Sequence, residues 1–549
     1  MKHIIIMSLL LSTMTIKAQT PEITVGPEIP LRQNDEYQGL LHADDSGYTI
    51  YLYERSGRGI LGESGRNLII EKYDTKFNQV FSYEYGEKDM ITVDLISTGK
   101  SLAWTVIEKI SSYKYTYQLI PIALDGKQGR AKKLFTLEIG KASDIPQTRM
   151  LVSPDSTKVG FVALVDNDKK KDEVELYCAV TSEEGEILWD EWAKLRGNQK
   201  QYEIQDVELN NDGEFIFLTK YNKDEDGKET VKNRNDEKIA GYTMQLLRVH
   251  PDVKTVERHP VEVDKQFVHE ASIQIDPLTG DVICAGLIST KEGGNINGAF
   301  YTRYDNDYNQ VVTNKRAFST NELISLDKAR VDVSLKDGKS GLDNDFNIRE
   351  LIVLPDGRTV MIAEEIYTRT RSDNFNPINP AGTFNRFGSG RSESTTLHVN
   401  DLVIVDISNE GEISNVDIIP KKQSVLVSRG FFRAIGGADF FLSSDYYLSY
   451  SYINVGNTLM LMYNDRDSNF DREQSRRRTI TTGRDMRTAS VDYNANSISD
   501  ISPLFDELGD DYVLSTSKSR KVGDGSYFMT LIDPRSNRIK HVRLAVMTF

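Results

Sequence analysis

The feature that most constrains this chain is a recurring pair of β-hairpins. Eight times an apolar β run, a tight Asp/Asn/Gly turn and a second β run are followed by another such pair. The first-pair turns fall at Asp45-Ser46-Gly47, Thr98-Gly99-Lys100, Pro154-Asp155-Ser156, Asn211-Asp212-Gly213, Leu278-Thr279-Gly280, Pro355-Asp356-Gly357, Val455-Gly456-Asn457 and Gly509-Asp510. Two second-pair turns are near copies, Tyr73-Asp74-Thr75-Lys76-Phe77-Asn78-Gln79-Val80 and Tyr304-Asp305-Asn306-Asp307-Tyr308-Asn309-Gln310-Val311. The flanking runs, such as Tyr48-Thr49-Ile50-Tyr51-Leu52-Tyr53, are rich in the β-branched and aromatic residues that half-buried strands prefer. A four-strand unit repeating at more than about 40 residues is the sequence sign of a β-propeller. The expected fold is therefore all-β, one β-propeller of eight blades with four antiparallel strands each. Seven blades is the alternative, because the pattern blurs between Val425 and Ser444. Ile23 to Val25 is expected to add a strand to the last blade and close the ring, removing its free edges. One short helix is expected over Thr320 to Arg330, with Ser319 as cap and Glu322 at the capping-box spacing.

Residues 1–18 read as a signal peptide: a short basic end at Lys2 and His3, an apolar stretch from Ile4 to Met14, and a cut before Gln19. No cysteine stands near that cut, since the first is Cys178, so the mature chain is expected to be periplasmic or secreted without a lipid anchor. Residues 19–549 are assigned to the propeller. Losing Lys2 and Lys17 takes the formal charge from -15 to -17, which disfavours nucleic acid as a partner. Cys178 and Cys284 fall in interior strand positions of the third and fifth units. Non-adjacent units should hold them beyond the roughly 7 Å Cα limit of a disulfide.

Ser153-Pro154-Asp155 followed by Lys158-Val159-Gly160-Phe161, and Leu354-Pro355-Asp356-Gly357-Arg358-Thr359-Val360, resemble the strand-turn signature of TolB-like, WD-like propeller repeats. The resemblance covers two units and implies an extracytoplasmic protein-binding scaffold. Catalytic motifs are not found. Gly62-Glu63-Ser64-Gly65-Arg66 and Gly388-Ser389-Gly390-Arg391-Ser392 miss the nucleophile-elbow spacing, and Gly99-Lys100-Ser101 lacks the earlier glycine of a phosphate loop. Trp104, Trp189 and Trp192 lie in strand runs and read as blade core. Asn222, Asp224, Asp226 and Gly227 follow the first half of a calcium loop, but its twelfth position is Asn233, so a solvated hairpin tip is the preferred reading and no metal or cofactor is assigned.

Loop length carries the functional expectation. First-to-second and third-to-fourth strand turns emerge on one face of a propeller and are short here. Second-to-third loops and blade connections emerge on the other and hold the excess, at Ser56–Arg66, Tyr221–Ile239, Tyr367–Val399, Asn464–Thr488, Ser319–Asn344 and Val425–Ser444. Function concentrates on loops carried by a rigid scaffold. Two of these loops are rich in arginine and aromatics, the composition enriched at interface cores. Arg369, Arg371, Phe375, Phe384 and Phe387 in one, with Arg476, Arg477 and Arg478 in the other, form the candidate partner-binding set. The chain thus reads as a non-enzymatic scaffold docking a cell-envelope protein, such as an outer-membrane channel or secretion component. A glycan-binding or carbohydrate-active propeller with a central-pocket site is the alternative.

Overall fold

The computed structural model describes residues 21–549 except 57–64, 87–89, 112–113, 139–145, 166–172, 233–237, 252–255, 264–265, 320, 323–340, 343–344, 374–391, 428–446, 471–477, 481–485, 495–496, 506–510, 524 and 535–538. The segment assigned to the signal peptide lies outside these residues. Eight antiparallel blades of four strands stand in a ring. Blade one shows the plan: Asp35–Asp44, Gly47–Ser56, Gly65–Tyr73 and Gln79–Tyr85, paired in chain order from the inside outward. The innermost strands of blades two to seven are Met90–Ser97, Gln147–Val152, Tyr202–Leu209, Phe267–Ile275, Phe346–Val353 and Tyr450–Val455.

Turn chemistry explains the repeat. Asp74 Oδ1 accepts the amides of Lys76 (2.9 Å) and Asn78 (2.8 Å), and Asp305 Oδ1 accepts those of Asp307 (3.0 Å) and Asn309 (2.8 Å). In both turns a buried aromatic residue takes the left-handed conformation, Phe77 at φ 62° and Tyr308 at φ 60°. Side-chain burial in the blade junction holds a backbone state that is otherwise unfavourable for them.

The ring closes through the N-terminus. Glu22–Pro30 pairs antiparallel with His541–Thr548 as the outermost strand of blade eight, Ile23 against Met547 and Val25 against Ala545. Gly26 in this strand is obligatory for packing, because a Cβ there would sit 2.6 Å from the Phe77 ring. Blade eight departs from the sequence expectation. Its innermost strand is Val513–Leu514 and Arg520–Gly523, split by a 3-10 turn at Thr516–Lys518, and it returns through Gly525 into Ser526–Ile532. The hairpin turn is therefore at Gly525, and Gly509-Asp510 lies outside the described residues.

Seven apolar clusters each fill the space between two neighbouring blades, and the eighth, between blades eight and one, extends to Leu397 and Val399 of blade six and Ile480 and Met486 of blade seven. Cys178 belongs to the junction of blades three and four and Cys284 to that of blades four and five, so blade four separates them; both are buried and free. Trp104 is core, and Trp189 is half-buried with its Nε1 donating to Gly213 O at 3.0 Å. Trp192 departs from expectation, lying on an outermost strand at 37% exposure against Tyr177 and Phe135. Of the expected helix Thr320 to Arg330 only Asn321 and Glu322 lie among the described residues; they are helical and the capping box forms, Glu322 Oε2 accepting the Ser319 amide (2.6 Å) and Ser319 Oγ that of Glu322 (3.2 Å).

Candidate functional site

Five innermost strands carry the same irregularity, a register shift after Tyr37, Thr92, Ile204, Val268 and Ile348. A bulge re-aims the side chain that follows it. In four of the five that residue is an acid: Asp94, Asp206, Glu270 and Glu350. Each acid reaches the next blade. The Asp94 carboxylate accepts backbone bonds from Leu95 and Met150. Asp206 Oδ2 accepts from Ser272 Oγ (2.6 Å) and the Ile273 amide (3.1 Å). Glu270 Oε2 accepts the Ile348 amide (2.6 Å), and Glu350 Oε2 accepts from Tyr452 Oη (3.4 Å).

The remaining junctions use other groups. Blade three offers Arg149, whose Nη1 lies 3.0 Å from Asp206 Oδ1 in blade four. Ser451 Oγ donates to Thr516 O (2.6 Å), Lys518 Nζ to Gln38 Oε1 (3.4 Å), and His42 Nδ1 meets Ser97 Oγ at 2.9 Å. A polar clasp thus links every neighbouring pair of blades along the inner rim. Burial pushes the Glu208 carboxyl up to about 8 and that of Glu350 up to about 7, with the Asp206 charge adding to both. Burial also drives Lys518 down to about 8, against the attraction of Glu36.

A second polar system lies at the end of blades six, seven and eight from which the long loops leave. Lys421 and Glu364 are both wholly buried, with Nζ 2.7 Å from Oε1. Lys421 Nζ also donates to Val399 O (3.0 Å) and Gln423 Oε1 (3.2 Å), while Glu364 Oε2 accepts from Ser449 Oγ (2.6 Å). Gln423 Nε2 donates to Asn464 O (2.9 Å) and its Oε1 accepts the Ser449 amide (2.7 Å). Asn464 Nδ2 donates to Leu514 O (2.7 Å) and its Oδ1 accepts from Thr488 Oγ1 (3.0 Å). Ser449 sits in the left-handed region at φ 64°, held there by these two bonds.

Of the segment Tyr367–Val399, expected as a loop, the described residues 367–373 and 392–399 are strand. Strands Thr359–Asp373 and Ser392–Ile407 run on past the innermost strand of blade six, and Gln423–Val427 pairs with Thr395–Val399 to widen the projection. Arg369 is exposed on this extension, and Arg371 pairs in backbone register with Ser394. Phe375, Phe384, Phe387, Arg476 and Arg477 lie outside the described residues. Arg478 is exposed, with its backbone amide and carbonyl both bonded to the Asn469 side chain at 2.8 Å. Asn222 is buried, the Asp224 carboxylate accepts the Asp226 amide (2.9 Å), and Asp226 lies 3.7 Å from Lys228 Nζ. Among the described residues, Asn222 Oδ1 is buried without a hydrogen-bond partner, and no group of three or more His, Cys, Asp or Glu is placed to hold a metal.

The rim acids were not singled out by sequence reasoning. A signal existed: Asp94, Asp206 and Glu350 each stand three residues before the end of an innermost strand, at Ser97, Leu209 and Val353.

No protein-family model matches this chain, and no curated protein matches it. Among solved structures it is similar to an apocarotenoid oxygenase of Synechocystis (10% identity, 73% of this chain and 93% of that one, TM-score 0.29). It is also similar to prolyl oligopeptidase B of Galerina marginata (11%, 91% and 55%, 0.36) and to a protein of unknown function from Dyadobacter fermentans (8%, 96% and 99%, 0.32). At these TM-scores none of the likenesses bears on activity. The repeat architecture that the chain does show is an eight-bladed β-propeller.

Proposed function

We propose that this chain is an exported, non-enzymatic propeller scaffold that docks another cell-envelope protein through its loop-bearing face, as at the periplasmic side of an outer-membrane channel or secretion complex. The observation that carries the reading is the asymmetry of the ring. Short turns such as Asp74–Asn78 and Asp305–Asn309 close one face, while the sheet extension of blade six stands on the other above a buried hydrogen-bond network. A rigid base under an exposed, cationic projection is what a docking surface requires. The TolB-like turns at Pro154-Asp155 and Pro355-Asp356 and the apolar N-terminal stretch support an extracytoplasmic place for it.

A glycan site in the channel is the second reading. It is favoured by Glu208 and Glu350, carboxyls that stay partly protonated near neutral pH and so can donate to hydroxyls. Against it, Asp206, the nearby second carboxyl such chemistry would need, has both oxygens committed to Arg149, Ser272 and Ile273. Affinity capture from solubilised membranes decides between them. A stoichiometric membrane partner, lost when Arg476, Arg477 and Arg478 become alanine, is the expected result. Glycan binding with no membrane partner would overturn the docking reading.

A further inference from the structure

Among the described residues, the extension of blade six has one covered edge and one edge with no pairing strand. On one side Gln423–Val427 covers Thr395–Val399 and is itself met by Ile480, through Ser424 N to Ile480 O (2.9 Å) and Ile480 N to Lys422 O (3.0 Å). On the other side the Ile366 amide makes the last bond to the blade interior, to Asp345 O at 2.7 Å. Strand alternation turns the N–H and C=O groups of Thr368, Thr370 and Ser372 to that same side. Among the described residues no strand pairs with them. The extension does not flex freely, because Leu397 and Val399 are fully buried in one apolar cluster with Tyr447, Ile480 and Met486. Its outer face is cationic and aromatic: Tyr367 stacks on His398 (4.7 Å, 14°), Arg369 is exposed, and the charges of Arg369 and Lys422 both act on His398.

A rigid, unpaired edge is a template for another strand, and proteins normally blunt such edges with proline, charge or a covering segment. Here the edge sequence Tyr-Thr-Arg-Thr-Arg is β-prone and has no proline. Its charges decide what can join it. A second copy pairing edge to edge would oppose arginine to arginine, and like charges across a pair are destabilising. We propose that the edge Tyr367–Asp373 takes an extended segment of the partner protein as an added strand, selected for acidic side chains at alternate positions. Main-chain bonds supply affinity and Arg369 supplies specificity, as in other strand-addition complexes. This rests on the docking reading and names the partner chemistry of that face.

The test uses the full chain and two fluorescent peptides, one alternating glutamate with valine and one alternating lysine with valine. The acidic peptide is expected to bind and the basic one not. Thr368→Pro removes an outward N–H at an edge position that tolerates proline; it should weaken acidic-peptide binding by about tenfold or more with melting temperature unchanged. Arg369→Glu should reverse the peptide preference. Equal binding of both peptides, binding unaffected by Thr368→Pro, or no binding at all would overturn the proposal. So would a concentration-dependent dimer that Thr368→Pro abolishes, which would give the edge to a second copy. Membrane capture retained by Thr368→Pro removes this edge but leaves the docking reading standing; failure of capture by the wild type removes that reading instead.

Discussion

Blades two to five and blades six to eight are joined by different chemistry. In the first region, carboxylates on bulged inner strands and Arg149 on the regular inner strand of blade three clasp the backbone or side chains of the next blade, facing the central channel. In the second, amides and hydroxyls of Gln423, Asn464, Thr488 and Ser449 make the junctions, and the Lys421–Glu364 pair is shut away from water. Both regions desolvate polar groups and compensate them differently. Burial holds Asp94, Glu208 and Glu350 above the usual carboxylate range, and Arg149 lies close enough to the rim to offset part of it. Beneath the blade-six extension the buried carboxylate is paired with Lys421, and neutral groups do the rest of the joining at a lower desolvation penalty than ions would carry. The sheet extension of blade six arises above the second region, over its buried network.

The sharpest way to break this comparison is at Lys421. Lys421→Met leaves the Glu364 carboxylate buried with only Ser449 and, at 3.8 Å, Arg349 for company. Removing one partner of a buried pair costs about 3–5 kcal/mol, whereas replacing both by apolar groups is close to neutral. Lys421→Met should therefore fall in denaturant midpoint far more than the double variant Lys421→Met with Glu364→Leu. Similar losses in the two would show that the pair is not desolvated as its burial implies.

A smaller effect sharpens the contrast between regions. Asn464→Ala strips partners from Thr488 Oγ1 and from the carbonyls of Tyr447 and Leu514, all buried, and should cost about 1–3 kcal/mol. Asp206→Asn keeps an acceptor for Ile273 at a position that is not fully buried, so its loss should be smaller. Matched thermal melts of the two variants check the order, and the reverse order would make the rim the critical joint.

Local chemistry was legible in the sequence where one segment contains all the groups involved. The Asp74 and Asp305 turns and the Ser319–Glu322 capping box are of this kind. Features that need a partner strand were not legible. Bulges exist only relative to the neighbouring strand, so Asp94 or Glu350 reads as an ordinary polar position in an alternating run. Tyr367–Asp373 reads as a loop because its polar alternation names no core; the core that fixes it, Leu397 and Val399, lies on the returning strand. In blade eight the split of the inner strand by Thr516–Lys518 moved the hairpin away from the expected Gly509-Asp510.

The smallest expected effect is confined to the acidic rim and depends on pH. Burial raises Glu350 from 4.5 to about 7 and Glu208 from 4.5 to about 8. Between the unfolded and folded values the native state therefore holds more protons than the unfolded chain, so stability falls as pH rises through that window. Below about 4.5 both states are protonated and this penalty vanishes; above about 8 it is fully present. Glutamine mimics the protonated form. Glu350→Gln and Glu208→Gln should each raise the melting temperature by a few degrees at pH 9 and change it little at pH 5. Lys518 acts in the opposite sense at higher pH. Its folded value of about 8 lies below the unfolded 10.5, so its burial penalty is relieved as pH rises from 8 to 10.5. Lys518→Met should therefore stabilise most below pH 8, where the glutamine variants gain least. If both classes of variant showed the same pH profile, the rim charges would not be titrating as their burial requires, and the two regions would differ in geometry alone.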